Sequence, residues 1–135
     1  MSDDEGFKVS KELSLKGHYI YTFIFQKGFT DQQFMEYLAL LTKLLELKTP
    51  FLMLIDTTLV KHIPLKASIL LINWMKKRRS DIVDCLIGSS VVVKSSMVAN
   101  IINAAFKIQK PSAPNKITTS YDECLKFLNN LEVKV

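Results

Sequence analysis

The stretch FLMLIDTTLVKHIPL, residues 51–65, gathers side chains able to do chemistry where an apolar run ends. Asp56 and His62 are an acid and a base that could exchange a proton. Thr57, Thr58 and Lys61 offer two hydroxyls and an ammonium suited to a small anion or polar group. A second polar pair, Ser95 and Ser96, follows the apolar run that ends at Val93. Hydroxyls just ahead of a helix either cap its free N–H groups or share them with a bound anion. The bland alternative is capping by the serines and an Asx-type turn at Asp56. The seven residues Asp56, Thr57, Thr58, Lys61, His62, Ser95 and Ser96 are the ligand-binding candidates. No nucleophile is evident beside the Asp56–His62 pair, and six residues of loop fix no geometry. No catalytic residue is assigned, and an enzyme centred there ranks third among the readings.

Other chemistries find less support. With two histidines in the chain, a histidine-based metal site is disfavoured. LKGHY and QKGFT each hold a single glycine, so no glycine-rich phosphate loop exists and no cofactor is expected. Cys85 and Cys124 lie far apart in apolar stretches and match no metal or redox spacing. They read as reduced, buried thiols and point to a cytoplasmic protein. A net charge of +5 gives mild attraction to polyanions but not the concentrated basic stripe of a nucleic-acid binder. Lys76-Lys77-Arg78-Arg79 reads as a solvated helix end. No apolar run approaches the roughly 20 residues that span a bilayer, and the acidic Met1–Glu5 stretch lacks a secretory pattern.

The elements that must position these residues follow from periodicity. Residues 1–6 read as a disordered leader and 7–135 as one domain. FKVSKELS (7–14) and HYIYTFIFQ (18–26) form a hairpin about Gly17, with Tyr19, Tyr21, Phe23 and Phe25 on one strand face. Thr30 or Asp31 caps a helix running to about residue 47. FLMLID (51–56) is a continuous apolar run, as in a strand buried on both faces. A helix from Pro64 to about Arg79, a strand over 82–93, a helix over 97–108, a short strand at 116–120 and a final helix over 121–131 complete the chain. The order β-β-α-β-α-β-α-β-α predicts an α/β layer with about four helices on a mixed, mostly parallel sheet. In such sheets ligands bind beyond the carboxyl ends of the strands, which places loops 57–63 and 94–97 at the binding rim.

Four stretches follow one another in order: the strand end Leu54-Ile55-Asp56-Thr57, and Pro64-Leu65-Lys66-Ala67 opening a helix that carries Trp74. Then come Ile87–Val93 leading into Ser95-Ser96-Met97-Val98, and Pro111 and Pro114 ahead of ITTSYDECLKFL. In these stretches and their order the chain resembles STAS-type domains, the fold of bacterial anti-sigma-factor antagonists, related in shape to CRAL-TRIO lipid-transfer domains. The resemblance implies a regulatory protein-interaction module. Its usual phosphorylatable serine would open the helix after the central strand, yet no hydroxyl residue stands between Leu59 and Ala67.

Helices 64–79 and 97–108 carry more apolar residues than one buried stripe needs. Leu71, Met75, Met97, Ile102 and Phe106 fall beyond that stripe and are the interface candidates. The leading expectation is therefore a non-enzymatic regulatory or scaffolding module with a protein partner or a second copy. The alternative is a carrier or sensor of a small lipid-like ligand, held between those helices and the sheet.

Overall fold

The computed structural model of the chain describes residues 6–131; residues 1–5, most of the expected leader, and 132–135 lie outside it. The elements are β1 (Phe7–Leu13), β2 (Tyr19–Phe25), α1 (Asp31–Glu46), β3 (Phe51–Asp56), α2 (Ala67–Lys77), α3 (Arg79–Cys85), β4 (Leu86–Val92), α4 (Ser96–Ile108), β5 (Asn115–Thr118) and α5 (Tyr121–Asn130). The sheet runs β1-β2-β3-β4-β5. β1 and β2 are antiparallel and every later pairing is parallel. The apolar run 51–56 is thus the central strand.

Alternation along the strands divides the apolar residues between two cores. Phe23 and Phe25 of β2 with Phe51 and Met53 of β3 face α1 and the helices beyond it. Ile20, Leu52, Leu54, Ile87 and Val92 face the other way, onto Cys124 and Leu128 of α5. Half of the aromatic face expected on β2 packs on α1, Tyr37 standing edge-on to Phe23 at 5.1 Å and to Phe25 at 4.9 Å between ring centroids, while Tyr21 packs on Phe51 and Tyr19 is exposed. Such edge-to-face pairs place positive ring edges against negative faces and add to area burial.

Local signals explain the element ends. Thr30 and Gln33 make a reciprocal capping box at the start of α1. The same helix ends into Lys48, which adopts a left-handed φ of 60° and donates its N–H to Leu45 O at 3.2 Å. Between β3 and β4 the register slips by one residue at Phe51/Leu52. Gly88 sits just past that slip, where an added Cβ would overlap Leu131 Cδ1 and come within 3.2 Å of Pro114 O. Gly6, assigned to the leader from sequence, is buried, and its carbonyl accepts the Gln26 N–H at 2.9 Å.

Two expectations need correction. The helix assigned to 64–79 is shorter, and a separate α3 follows it, so the described residues hold five helices rather than about four. The strand assigned to 82–93 begins only at Leu86. Ile82 and Cys85 are buried while Val83 and Asp84 are exposed. That spacing of three is helical, and it outweighs the β-branched Ile82-Val83 pair that suggested a strand.

Candidate functional site

Parallel strands bring the carboxyl ends of β3, β4 and β5 to one rim, with Asp56 level with Val92 and Val92 with Thr118. All seven ligand-binding candidates lie along it, and several of their polar atoms are committed locally. Asp56 Oδ1 accepts from the Thr58 N–H at 2.9 Å and from Thr58 Oγ1 at 2.7 Å, closing an Asx-type turn. Thr57 is buried, and its N–H and hydroxyl both donate to Val92 O, at 3.0 and 2.8 Å. Lys61 and His62 are exposed, and their N–H groups donate to Lys27 O at 2.9 and 3.4 Å. Ser95 Oγ accepts from the Val98 N–H at 3.4 Å as the cap of α4, and Ser96 is its exposed first residue. Among the described residues no hydrogen bond or ion pair joins Asp56 to His62. The rim combines satisfied turns and caps with the exposed side chains of Lys61, His62 and Ser96.

Neither thiol supplies a nucleophile. Cys85 is buried and its thiol donates to Leu45 O at 3.6 Å. Cys124 lies between α5 and the sheet, where burial pushes its thiol up. The Ser90 hydroxyl and Lys116 work against that rise, and the Asp56 and Glu123 carboxylates add to it. The protonated form is unreactive. Among the described residues no group of three His, Cys, Asp or Glu could hold a metal ion.

An apolar feature lies on the α1 side of the sheet. A cavity of about 140 Å³ opens between α1, α2, α4 and the strands, neither sealed nor flat. Phe25, Met53, Ile55 and Val91 form its floor. Leu71, Trp74 and Met75 of α2 face Ile102, Ala105 and Phe106 of α4 across it, and Phe34, Tyr37 and Leu41 of α1 close one side. Among the polar groups of its lining, Thr57 Oγ1 bonds to Val92 O and Ser89 Oγ accepts from Asn115 Nδ2 at 2.8 Å, while Ser68 and Ser112 add two hydroxyls. Trp74 presents its ring to the space while its Nε1–H donates to Thr42 Oγ1 at 2.9 Å. Thr42 Oγ1 donates in turn to Leu38 O at 3.0 Å.

Four of the five interface candidates, Leu71, Met75, Ile102 and Phe106, stand on this cavity wall; Met97 is half-exposed outside it. Sequence reading did not anticipate the part played by α1 or by the Pro111–Ala113 turn that closes the far end. The small residues Ser112 and Ala113 between two prolines were the available signal.

No protein-family model and no curated protein matches the chain. Among solved structures it aligns with an uncharacterised protein of the DUF3478 family with a SpoIIAA-like fold, from Shewanella loihica PV-4. The TM-score is 0.65 at 18% identity, covering 91% of this chain and 94% of the other. The fold is SpoIIAA-like. This agrees with the STAS-type architecture that the motif order implies. In this SpoIIAA-like frame the helix after the central strand opens on Lys66 with no side-chain cap. Ser68, one residue inside α2, lines the cavity. No helix among the described residues is long and apolar enough to cross a membrane.

Proposed function

We propose that this SpoIIAA-like chain is a non-enzymatic regulatory module that holds a compact apolar ligand between α2, α4 and the sheet. The observation that carries the reading is the 140 Å³ apolar cavity. Protein interiors leave few voids larger than a water molecule. Side chains lining such a space lack packing partners on that side. An apolar occupant would supply them. Apolar cavities of about 150 Å³ take benzene-sized molecules, so the ligand is a compact hydrocarbon group or the end of an acyl chain. Leu71, Met75, Ile102 and Phe106 act in this reading as ligand contacts.

A protein partner would read the outer side of α4, where Met97 and Ile108 are exposed. They are eleven residues apart and so lie on one side of that helix. Occupancy between α2 and α4 sets the spacing of the two helices and so the surface the partner meets. This couples the carrier reading to the regulatory one. The rim residues Asp56, Thr57, Thr58, Lys61, His62, Ser95 and Ser96 would contact at most a polar end of the ligand.

Trp74 is the chain's single tryptophan and stands on the cavity wall, so its emission reports occupancy. Titration with a series of n-alcohols should change that emission saturably. Affinity should rise about fourfold per methylene, from about 0.8 kcal/mol each, until the cavity is full and the slope breaks. Ala105→Leu, which fills the space from α4, should weaken binding at least tenfold while raising the melting temperature. A non-saturable response, or a slope unbroken to long chains and indifferent to Ala105→Leu, would overturn the proposal.

A further inference from the structure

The two edges of the sheet differ. β5 offers four residues, and such short edges resist pairing with other chains. β1 offers seven, with no proline, glycine or bulge, and its register with β2 is unbroken. From Lys8 to Leu13 every residue is exposed.

The hydrogen-bond parity of β1 is fixed at both ends. Gly6 O accepts the Gln26 N–H at one end, and the Ser14 N–H donates to His18 O at the other. Antiparallel ladders alternate bonded and non-bonded pairs, so Lys8, Ser10 and Glu12 bond to β2. Phe7, Val9, Lys11 and Leu13 then turn their N–H and C=O groups to the open edge. A second copy lying antiparallel must match these odd positions with its own.

One such register is complementary throughout. Centred on Ser10, it sets Phe7 opposite Leu13 of the other copy, Lys8 opposite Glu12, Val9 opposite Lys11 and Ser10 opposite Ser10. All seven residues pair, and both Lys8–Glu12 contacts fall at non-bonded positions, where cross-strand side chains are closest. Shifting the centre to Lys11 opposes two lysines, and shifting it to Val9 leaves Glu12 beyond the strand. We propose that β1 is a homodimer interface, joining two copies through a two-fold axis at Ser10 into one continuous ten-stranded sheet. The apolar side of that seam gains Phe7, Val9 and Leu13 from each copy. Lys11 stays over its own Tyr19, with Nζ 4.6 Å from the ring centroid.

Analytical ultracentrifugation over a concentration series tests this. The parent chain should show a reversible dimer. Lys8→Glu should weaken it at least about tenfold by opposing carboxylates on both sides of the axis, and the double change Lys8→Glu with Glu12→Lys should restore it. Non-bonded antiparallel partners have Cα atoms about 4.5 Å apart, within disulfide reach. Ser10→Cys should therefore give a disulfide-linked dimer on mild oxidation, with Cys85 and Cys124 buried and silent. Leu13→Cys, about 20 Å from its own copy across the seam, should not. Lys11→Pro leaves the β2 ladder intact, because its N–H points outward, and should yield a folded monomer. A chain monomeric at every concentration would sink the proposal. So would a dimer indifferent to Lys8→Glu, equal linking by Ser10→Cys and Leu13→Cys, or a dimer broken by Met97→Glu instead.

Discussion

Tyr37 packs its ring against Phe7, Phe23, Phe25 and Phe34. Burial pushes its phenol well above the ordinary tyrosine range. The unfolded chain releases that proton near pH 10, while the folded chain keeps it, so the folded state binds more protons above pH 10. Stability is then fully present below pH 10 and falls as pH rises beyond it. Urea midpoints compared at pH 8 and pH 11 should show a smaller loss for Tyr37→Phe than for the parent. Lys48 sits in the left-handed region at the end of α1, where a β-carbon is costly. Its ion pair with Asp81, at 3.5 Å with the lysine mostly exposed, adds little. Lys48→Gly should stabilise the chain by about 0.5–1 kcal/mol, read as a higher urea midpoint. Asp56 was legible at this scale, since an Asx turn after a buried strand is local chemistry. The αL conformation of a lysine was not, because the sequence there favours no glycine or asparagine.

Among the elements, those with one strong period were legible. α1 carries Phe34, Tyr37, Leu38, Leu41, Leu44 and Leu45 at helical spacing, and all six are buried. α5 shows the same with Cys124 and Leu128, and Ser120 caps it. The break between α2 and α3 was hidden because Lys76-Lys77-Arg78-Arg79 holds no glycine or proline to mark it. There Arg78 N–H still bonds to Trp74 O, and its guanidinium reaches Asp81 at 3.7 Å. Among the described residues α5 alone supplies the helical side of the second core. Leu128→Ala should therefore cost about 2–5 kcal/mol, with the m-value unchanged if the remaining fold persists.

At the level of the whole molecule, the central place of β3 and the rim beyond it followed from a continuous apolar run, because burial on both faces has no other pattern. The cavity did not follow. Whether Leu71, Met75, Ile102 and Phe106 meet a partner or empty space depends on how far α2 and α4 stand from the sheet. The residues lining that space come from several elements and from no single stretch. Gly88, just past the slip at Phe51/Leu52, lies against Leu131 and Pro114, so a side chain there has no room. Gly88→Ala should destabilise by about 1–3 kcal/mol through overpacking, seen as a lower melting temperature. The loss should be smaller in a Leu131→Ala background, where the overlapping methyl is gone.

The uneven covering of the sheet also bears on how the chain is made. Ile20, Leu52, Leu54, Ile87 and Val92 wait for a lid that is the last of the ten elements to leave the ribosome. Until α5 emerges, the nascent sheet shows a bare greasy wall to its surroundings. Slowing translation just before Tyr121 should lengthen that interval and raise the share of newly made chains captured by holdase chaperones.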